Sequence, residues 1–210
     1  MRALVVVLSL MTVDGVGGQP QPVAAPAPTV RQRPVLERRM AARAASRYDA
    51  TFKRYAKRFF SAAFDWRWFK AQGMAESNLD STATSWVGAR GIMQLMPATY
   101  AEIRSRQPAF GPIDDPEWNI AAGIYYNRQL WRRWTPRVPD DERLPFVFGS
   151  YNAGEGTIVR AAATARTTDR DVPTWDAIEQ VAPRVPRWRY RETLGYVRKI
   201  QEHHERLTDR

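Results

Sequence analysis

The chain has 210 residues, of which 44% are hydrophobic and 26% charged, a balance typical of a globular domain with its own core. Its formal net charge is +10, and it contains no cysteine, which excludes disulfides, thiolate nucleophiles and cysteine-based zinc sites. The positive charge favours contact with polyanions. However, the arginines are scattered and no zinc finger, RNP-like strand or basic zipper accompanies them, so we expect no nucleic-acid partner.

The first 18 residues, MRALVVVLSLMTVDGVGG, resemble a short secretory signal peptide with one arginine, an apolar stretch and then small residues. The apolar stretch is too short to cross a bilayer as a helix. We therefore expect export to the periplasm, the cell envelope or the medium, without stable membrane insertion. The alternative is an N-terminus that is merely apolar at its tip. A linker rich in proline and alanine is predicted over 19–34, and one domain over 35–210.

Helical periodicity begins after the linker. Four aromatic residues recur at i, i+4, i+7 and i+11, which predicts one buried face of a helix: Tyr48, Phe52, Tyr55 and Phe59. Asp65 is the predicted N-cap of a second helix over 65–79, because its carboxylate can accept the free amides of the first turn.

Further helices are predicted from start and stop signals. Pro97 suits the first turn of a helix over 97–106. Asp114 and Glu117 have capping-box spacing ahead of a long helix that ends before Pro136. Later helices are predicted over 143–153, 155–166 and 189–207. Because no strand-like alternation of convincing length occurs, we predict an all-α domain.

One glutamate opens the segment that is most informative about function. Residues 76–99 read ESNLDSTATSWVGARGIMQLMPAT, with Glu76 near the C-terminal end of the predicted helix 65–79. A carboxyl group that is partly buried among apolar groups keeps its proton near neutral pH and can act as a general acid. Taken alone, a glutamate on a helix is far more often a surface residue.

The whole segment resembles the catalytic motif of family 1 lytic transglycosylases, soluble-lytic-type domains related to goose-type lysozyme. The matching positions are Glu76, Ser77, Leu79, Ser85, Gly88, Ala89, Gly91, Met93, Gln94, Met96, Pro97 and Thr99. Three later blocks agree in order with the family: DDPEWNIAAGIYYNRQL, FGSYNAGEG and RETLGYVRKI. The lead-in YDATFKRYAKRFFSAAFDWRWFKAQ is most similar to the catalytic domain of the membrane-bound F type. The resemblance covers residues 47–201.

The resemblance implies a mainly helical, lysozyme-like fold with a substrate cleft and no cofactor. It implies cleavage of the β-1,4 bond between N-acetylmuramic acid and N-acetylglucosamine in peptidoglycan. Glu76 would then protonate the bridging oxygen and later take the proton of the C6 hydroxyl as a 1,6-anhydro ring closes. In this family the N-acetyl oxygen of the substrate assists, so a second carboxylate is not needed.

Five further residues are implied to bind substrate by their match to family positions: Ser85, Gln94, Met96, Tyr151 and Asn152. Ser85 and Gln94 would hold the sugar through hydrogen bonds. Met96 and Tyr151 would line the cleft, and the Tyr151 hydroxyl would orient the acetamido group or Glu76. Each residue also has a purely structural interpretation. Ser85 could be a turn hydroxyl and Gln94 a buried amide. Met96 and Tyr151 could be core side chains, and Asn152 could cap a helix.

Two other functions stay open at this point. Glu155 stands where the family has proline, and a true hydrolase on the same fold could use Glu155, Asp80 or an aspartate within 169–171 to activate water. A noncatalytic wall-binding or scaffold protein is the alternative from another class. It is disfavoured because Glu76 and its motif are intact.

We expect no metal site, since the adjacent His203, His204 and Glu205 offer too few ligands near a chain end. The expected partner is the glycan strand of peptidoglycan, to which the basic charge would favour long contact. The sequence identifies no assembly partner in the cell envelope.

Overall fold

The computed structural model describes residues 46–166 and 173–209, so the predicted signal peptide and linker lie outside the described residues. The described chain is helical, and its only extended pairings are two isolated bridges that join Arg90 to Thr84 and to Leu95. The α-helices are α1 Asp49–Phe59, α2 Arg67–Ser77, α3 Pro97–Arg106, α4 Pro116–Trp134, α5 Arg143–Ala153, α6 Glu155–Arg166, α7 Trp175–Val181 and α8 Tyr190–Thr208. Short 3-10 helices span Asp140–Glu142 and Ala182–Arg184. The all-α prediction is confirmed.

The aromatic face of α1 is buried as its spacing predicts. Tyr48, Phe52 and Tyr55 are buried and Phe59 is half-buried. They share a hydrophobic cluster with apolar residues of α4 and with Ile92, which lies in the segment between α2 and α3. This segment is therefore fixed from one side by the core that α1 and α4 form.

Two other clusters complete the core. One surrounds the fully buried Trp134 at the end of α4 and includes residues of α5, α6 and α7. The other is small and joins three helices through Ala71 of α2, Phe148 of α5, and Val197 and Ile200 of α8. Because of this small cluster, α8 lies along α2, although the two helices are far apart in the sequence. None of the described helices is long and apolar enough to cross a membrane.

The start of α4 differs from the prediction by one residue. Asp115, and not Asp114, is the N-cap, and its carboxylate accepts the amides of Glu117 at 2.8 Å and Trp118 at 3.3 Å. Asp114 instead pairs with Arg90 at 2.7 Å. The side chain of Glu117 does not complete a capping box, since it accepts the Tyr55 hydroxyl at 2.8 Å.

Asn119, which is buried on α4, holds the segment between α2 and α3 in place. Its Nδ2 donates to the carbonyl oxygens of Arg90 and Ile113, each at 3.0 Å, and its Oδ1 accepts the amide of Met93 at 2.8 Å. A Cβ on Gly91, whose φ is +73°, would lie 2.6 Å from Asn119 Nδ2. The backbone therefore needs glycine at that position to approach the amide so closely.

We expect Asn119→Ala to lower the free energy of unfolding by about 3 kcal/mol, because the buried Met93 amide and the half-buried carbonyls of Arg90 and Ile113 lose their partner. Urea unfolding followed by tryptophan fluorescence would measure the change. Gln201→Ala, which truncates a half-buried amide on α8, is the matched control and should change stability little. Equal effects of the two substitutions would contradict the role assigned to Asn119.

Candidate active site

Glu76 is the penultimate residue of α2, where the helix ends abruptly. Asn78 and Leu79 both adopt left-handed backbone conformations, with φ of 55° and 64°. Their amides donate back to the carbonyls of Met74 at 3.0 Å and Gly73 at 3.2 Å, as in a Schellman-type helix end. The chain thus turns away just beyond Glu76. At its other end α2 starts at Arg67, and its N-cap is Trp66 rather than the predicted Asp65. The Asp65 carboxylate still accepts the Arg67 amide at 3.1 Å.

A chain of side chains from three helices holds the Glu76 carboxylate. The Tyr196 hydroxyl of α8 donates to Glu76 Oε1 at 2.5 Å. Gln72 Nε2 of α2 donates to the Tyr196 oxygen at 3.1 Å, and Asn127 Nδ2 of α4 donates to Gln72 Oε1 at 2.7 Å. Gln72 and Asn127 are fully buried. Because buried polar groups of this kind are costly to move, the network fixes the position of Glu76.

The surroundings of Glu76 favour its protonated form. Burial raises the pKa of the Glu76 carboxyl to about 7, although the hydrogen bond from Tyr196 and the positive charge of Lys199 both act to lower it. Lys199 Nζ donates to the carbonyl oxygen of the neighbouring Ala75 at 3.0 Å, which keeps its charge near the site. Near neutral pH, the carboxyl can therefore both give and take a proton.

Ser85 shapes the tight turn that follows α2. The Gly88 amide donates to the Ser85 carbonyl at 2.9 Å, and the Ala89 amide donates to Ser85 Oγ at 3.0 Å. Gly88 has a φ of +86°, which only glycine adopts freely. This is the turn-hydroxyl role that the sequence allowed as an alternative. Sugar binding by Ser85 stays a prediction.

Gln94 also holds the segment between α2 and α3 in shape. Its Nε2 donates to the carbonyl oxygens of Gly91 at 2.9 Å and Ala83 at 3.2 Å, and its own backbone is left-handed with φ of 43°. Ser77 Oγ, next to Glu76, donates to the Ile92 carbonyl at 3.0 Å. The segment therefore folds back against the end of α2, where Ile92, two residues before Gln94, contacts the neighbour of Glu76.

Tyr151 joins the same site from α5. Its hydroxyl donates to the Met93 carbonyl at 2.8 Å. The Tyr151 proton therefore does not point to Glu76, although orientation of Glu76 was one of its two predicted roles. Burial first, and then the nearby Glu76, raise the pKa of Tyr151 well above its usual value. Its oxygen can still accept a hydrogen bond from a ligand. Orientation of an acetamido group by Tyr151 stays a prediction.

Asn152 lies at the surface and links α5 to α8. Its Oδ1 accepts the Thr193 hydroxyl at 2.9 Å, and Thr193 in turn accepts Trp188 Nε1 at 3.0 Å. This hydrogen bond between two helices differs from the helix cap that the sequence offered as an alternative role for Asn152. Substrate binding by Asn152 stays a prediction.

Three large apolar side chains are markedly exposed among the described residues, and all belong to the segment between α2 and α3. Trp86 is 91% exposed, Val87 50% and Met96 41%. Trp86 and Val87 are the central residues of the turn that Ser85 closes, so they project from its tip. Exposed apolar patches of this kind mark binding surfaces in many proteins.

The other carboxylates that could activate water have different surroundings. Asp80 is exposed, and its Oδ1 accepts the amide and the hydroxyl of Thr82 at 2.8 and 2.7 Å, as expected of a turn residue. Glu155 pairs with Arg133 at 3.8 Å. Residues 169–171 lie outside the described residues. In the described part of the chain no three His, Asp or Glu side chains cluster as metal ligands would.

We expect wild-type protein to lose about 2 to 3 kcal/mol of stability between pH 4.5 and pH 8, relative to Glu76→Gln. The pKa of Glu76 rises from its usual 4.5 to about 7 in the folded state. The contribution of Glu76 to the free energy of unfolding is thus fully present below pH 4.5. It is lost as pH rises through 7, because the folded protein must then bury the charged carboxylate. Urea unfolding at several pH values would measure it. The exposed Glu205→Gln is the control and should follow wild type, whereas parallel curves for wild type and Glu76→Gln would contradict the shift.

Comparison with known proteins agrees with this architecture. Membrane-bound lytic murein transglycosylase F of Maricaulis maris is 30% identical over 177 residues, which cover 77% of this chain and 38% of that protein. Its namesake in Marinobacter nauticus is 31% identical over 156 residues, which cover 72% of this chain and 29% of that protein. The chain thus spans well under half the length of these relatives.

Solved structures show the same fold. The 70 kDa soluble lytic transglycosylase of Escherichia coli aligns with a TM-score of 0.57 at 23% identity, over 75% of this chain and 23% of that one. An inactive glutamate-to-glutamine mutant of lytic transglycosylase Slt from Pseudomonas aeruginosa aligns with a TM-score of 0.59 at 25% identity, over 76% and 23%. Residues 61–172 match the family described as the transglycosylase SLT domain. The chain belongs to the transglycosylase SLT domain family.

Proposed function

We propose that this chain is a peptidoglycan lytic transglycosylase with Glu76 as its single acid/base. It cleaves the β-1,4 bond between N-acetylmuramic acid and N-acetylglucosamine and leaves a 1,6-anhydromuramic acid end. The observation that carries the proposal is the Glu76 carboxyl, held by Tyr196 within the family motif and with its pKa raised to about 7. The names of the relatives, which are murein transglycosylases, support the same substrate.

The two chemical steps use opposite protonation states of Glu76. In the first step its carboxylic acid gives a proton to the bridging oxygen, and the bond from that oxygen to C1 of the muramic acid breaks. The acetamido oxygen of the sugar supports the positive charge that develops at C1. In the second step the carboxylate takes the proton of the C6 hydroxyl as O6 bonds to C1. The atoms balance without water, and Glu76 ends protonated as it began.

A pKa near 7 suits an acid that must later act as a base, because neither protonation state is strongly disfavoured. The Tyr196 hydroxyl donates to Glu76 and therefore stabilises the carboxylate that exists between the two steps. Burial favours the acid that exists before the first step. The two influences together support a residue that alternates between both roles.

A hydrolase on the same fold is the second candidate, since Glu155 adds a carboxylate where the family has proline. Two observations favour the transglycosylase. Asp80 accepts hydrogen bonds from Thr82 in its own turn, and Glu155 pairs with Arg133. Neither carboxylate contacts Glu76 or its network of Tyr196, Gln72 and Asn127 in the described chain.

Substrate contacts are proposed for the five residues that match family positions. Ser85 and Gln94 would hold the sugar through the hydrogen-bonding capacity that their contacts with the backbone do not use. Met96 and Tyr151 would line the cleft, and Asn152 of α5 would contact the sugar. We further propose action in the cell envelope after export, in keeping with the signal-like N-terminus and with the murein named for the relatives. The net charge of +10 favours contact with the acidic wall polymer.

The proposal is tested by digestion of purified peptidoglycan, with mass spectrometry of the released muropeptides. Wild-type protein should release products one water lighter than those of hydrolysis, and Glu76→Gln should release none. Glu205→Gln is the matched control and should behave as wild type. Reducing-end products that depend on Glu76 would instead identify a hydrolase. If the wall is bound but not cleaved by wild-type protein, the chain is a binding module.

We expect Trp86→Ala to weaken binding of glycan strands about tenfold, because the exposed indole offers a flat apolar face on which a sugar ring can pack. The measurement is strand binding by the Glu76→Gln protein with and without Trp86→Ala. Thermal stability should not change, since the side chain is 91% exposed. Trp86→Phe is the control and should retain most of the affinity. Unchanged binding by the alanine variant would contradict a role for Trp86.

A further inference from the structure

A pocket of about 430 Å³ lies between α3, α4 and the start of α6. Charged side chains from all three helices line it: Glu102 and Arg106 of α3, Arg132 and Arg133 of α4, and Glu155 of α6. Its lining also includes Tyr126 of α4. A neutral sugar could hydrogen-bond to these side chains, but it would leave their charges without an ionic partner. The pocket therefore suits a ligand that is itself ionised.

The positive charges of this pocket are only partly neutralised. Arg106 pairs with Glu102 at 3.0 Å, within one helix, and Arg133 reaches Glu155 only at 3.8 Å. Arg132 is exposed and forms no ion pair with a carboxylate anywhere in the described residues. An arginine binds a carboxylate through two parallel hydrogen bonds. Arg132 and Arg133 thus offer two neighbouring positions for the carboxylates of a ligand.

The pocket adjoins the catalytic site through a pair of tyrosines. The rings of Tyr126 and Tyr151 lie 5.2 Å apart, and the Tyr151 hydroxyl donates to Met93 in the segment beside Glu76. Burial and the negative charges of Glu155 and Glu102 raise the pKa of Tyr126, as expected of a phenol at the boundary between the core and this charged pocket. The Tyr126 ring lines the pocket, and its contact with the Tyr151 ring therefore places the pocket one side chain away from the segment beside Glu76.

We propose that this pocket binds the acidic peptide that a muramic acid carries, with Arg132 and Arg133 as the groups that bind its carboxylates. This inference rests on the proposed function, since it concerns the substrate of that same site. It also assigns a role to Glu155, whose presence the catalytic chemistry leaves unexplained. Glu155 competes with the peptide for Arg133 and so limits its affinity.

The test compares two substrates, glycan strands that carry their peptides and the same strands after an amidase has removed them. Arg132→Gln should lower the rate constant kcat/KM for peptide-bearing strands about tenfold and leave that for bare strands unchanged, because one charge-assisted contact is lost. Glu155→Gln should raise the preference for peptide-bearing strands a few-fold, since it frees Arg133. The exposed Arg184→Gln is the matched control and should change neither rate.

If wild-type protein cleaves neither substrate, the proposed function is contradicted but the inference about the pocket is not. The inference is then tested by the binding of both kinds of strand to Glu76→Gln protein. In that background Arg132→Gln should again weaken only the peptide-bearing strand. An equal loss on both strands would mean that the pocket holds sugar, and no loss on either would mean that it holds no part of the substrate. Either result would overturn the inference.

Discussion

A lone carboxyl group can act first as an acid and then as a base only if the protein both shields it from water and holds it still. Burial alone would favour the neutral form and leave the side chain free to turn. Here the Tyr196 hydroxyl fixes Glu76 Oε1, and Gln72 with Asn127 fix Tyr196 in turn. The three helices α2, α4 and α8 must therefore pack correctly before the carboxyl acquires its pKa.

The core clusters make that packing possible. Ala71, Phe148, Val197 and Ile200 bring α8 against α2, which sets Tyr196 opposite Glu76. The aromatic face of α1 and the buried residues of α4 fix the segment between α2 and α3. Two residues of the motif have structural roles, because Ser85 and Gln94 both form hydrogen bonds to the backbone of the segment itself. The side chains left exposed, above all Trp86, are the ones free to meet a ligand.

Local signals in the sequence were sufficient for most helices and for the position of Glu76. Pro97 marks the start of α3, and the observed bounds of α3, α5 and α6 agree with the prediction. The short α7 was not predicted, because seven residues show too little periodicity. The choice between Asp114 and Asp115 as the cap of α4 depends on Arg90, which is distant in sequence and pairs with Asp114.

The partners of Glu76 were beyond the reach of sequence reasoning. Tyr196 lies 120 residues away, and only the packing of α8 on α2 brings its hydroxyl to the carboxylate. Gln72 and Asn127 lie among apolar residues on two different helices. Nothing in their local sequence indicates that they share a hydrogen-bond network. The one signal for these partners is the late block RETLGYVRKI, which contains Tyr196 and Lys199 and matches the family. The match alone indicates no chemical role for either residue.

The proposed mechanism requires Glu76 to exchange its proton near neutral pH, and carbon NMR titration of carboxyl-labelled glutamate would measure that exchange. Comparison of wild type with Glu76→Gln assigns the resonance. We expect a pKa of about 7 for Glu76 in wild type and a higher pKa in Tyr196→Phe, because the hydrogen bond from Tyr196 lowers the pKa of Glu76. A pKa near 4.5 in wild type would contradict proton exchange near neutral pH, and the absence of an upward shift in Tyr196→Phe would contradict the role of Tyr196.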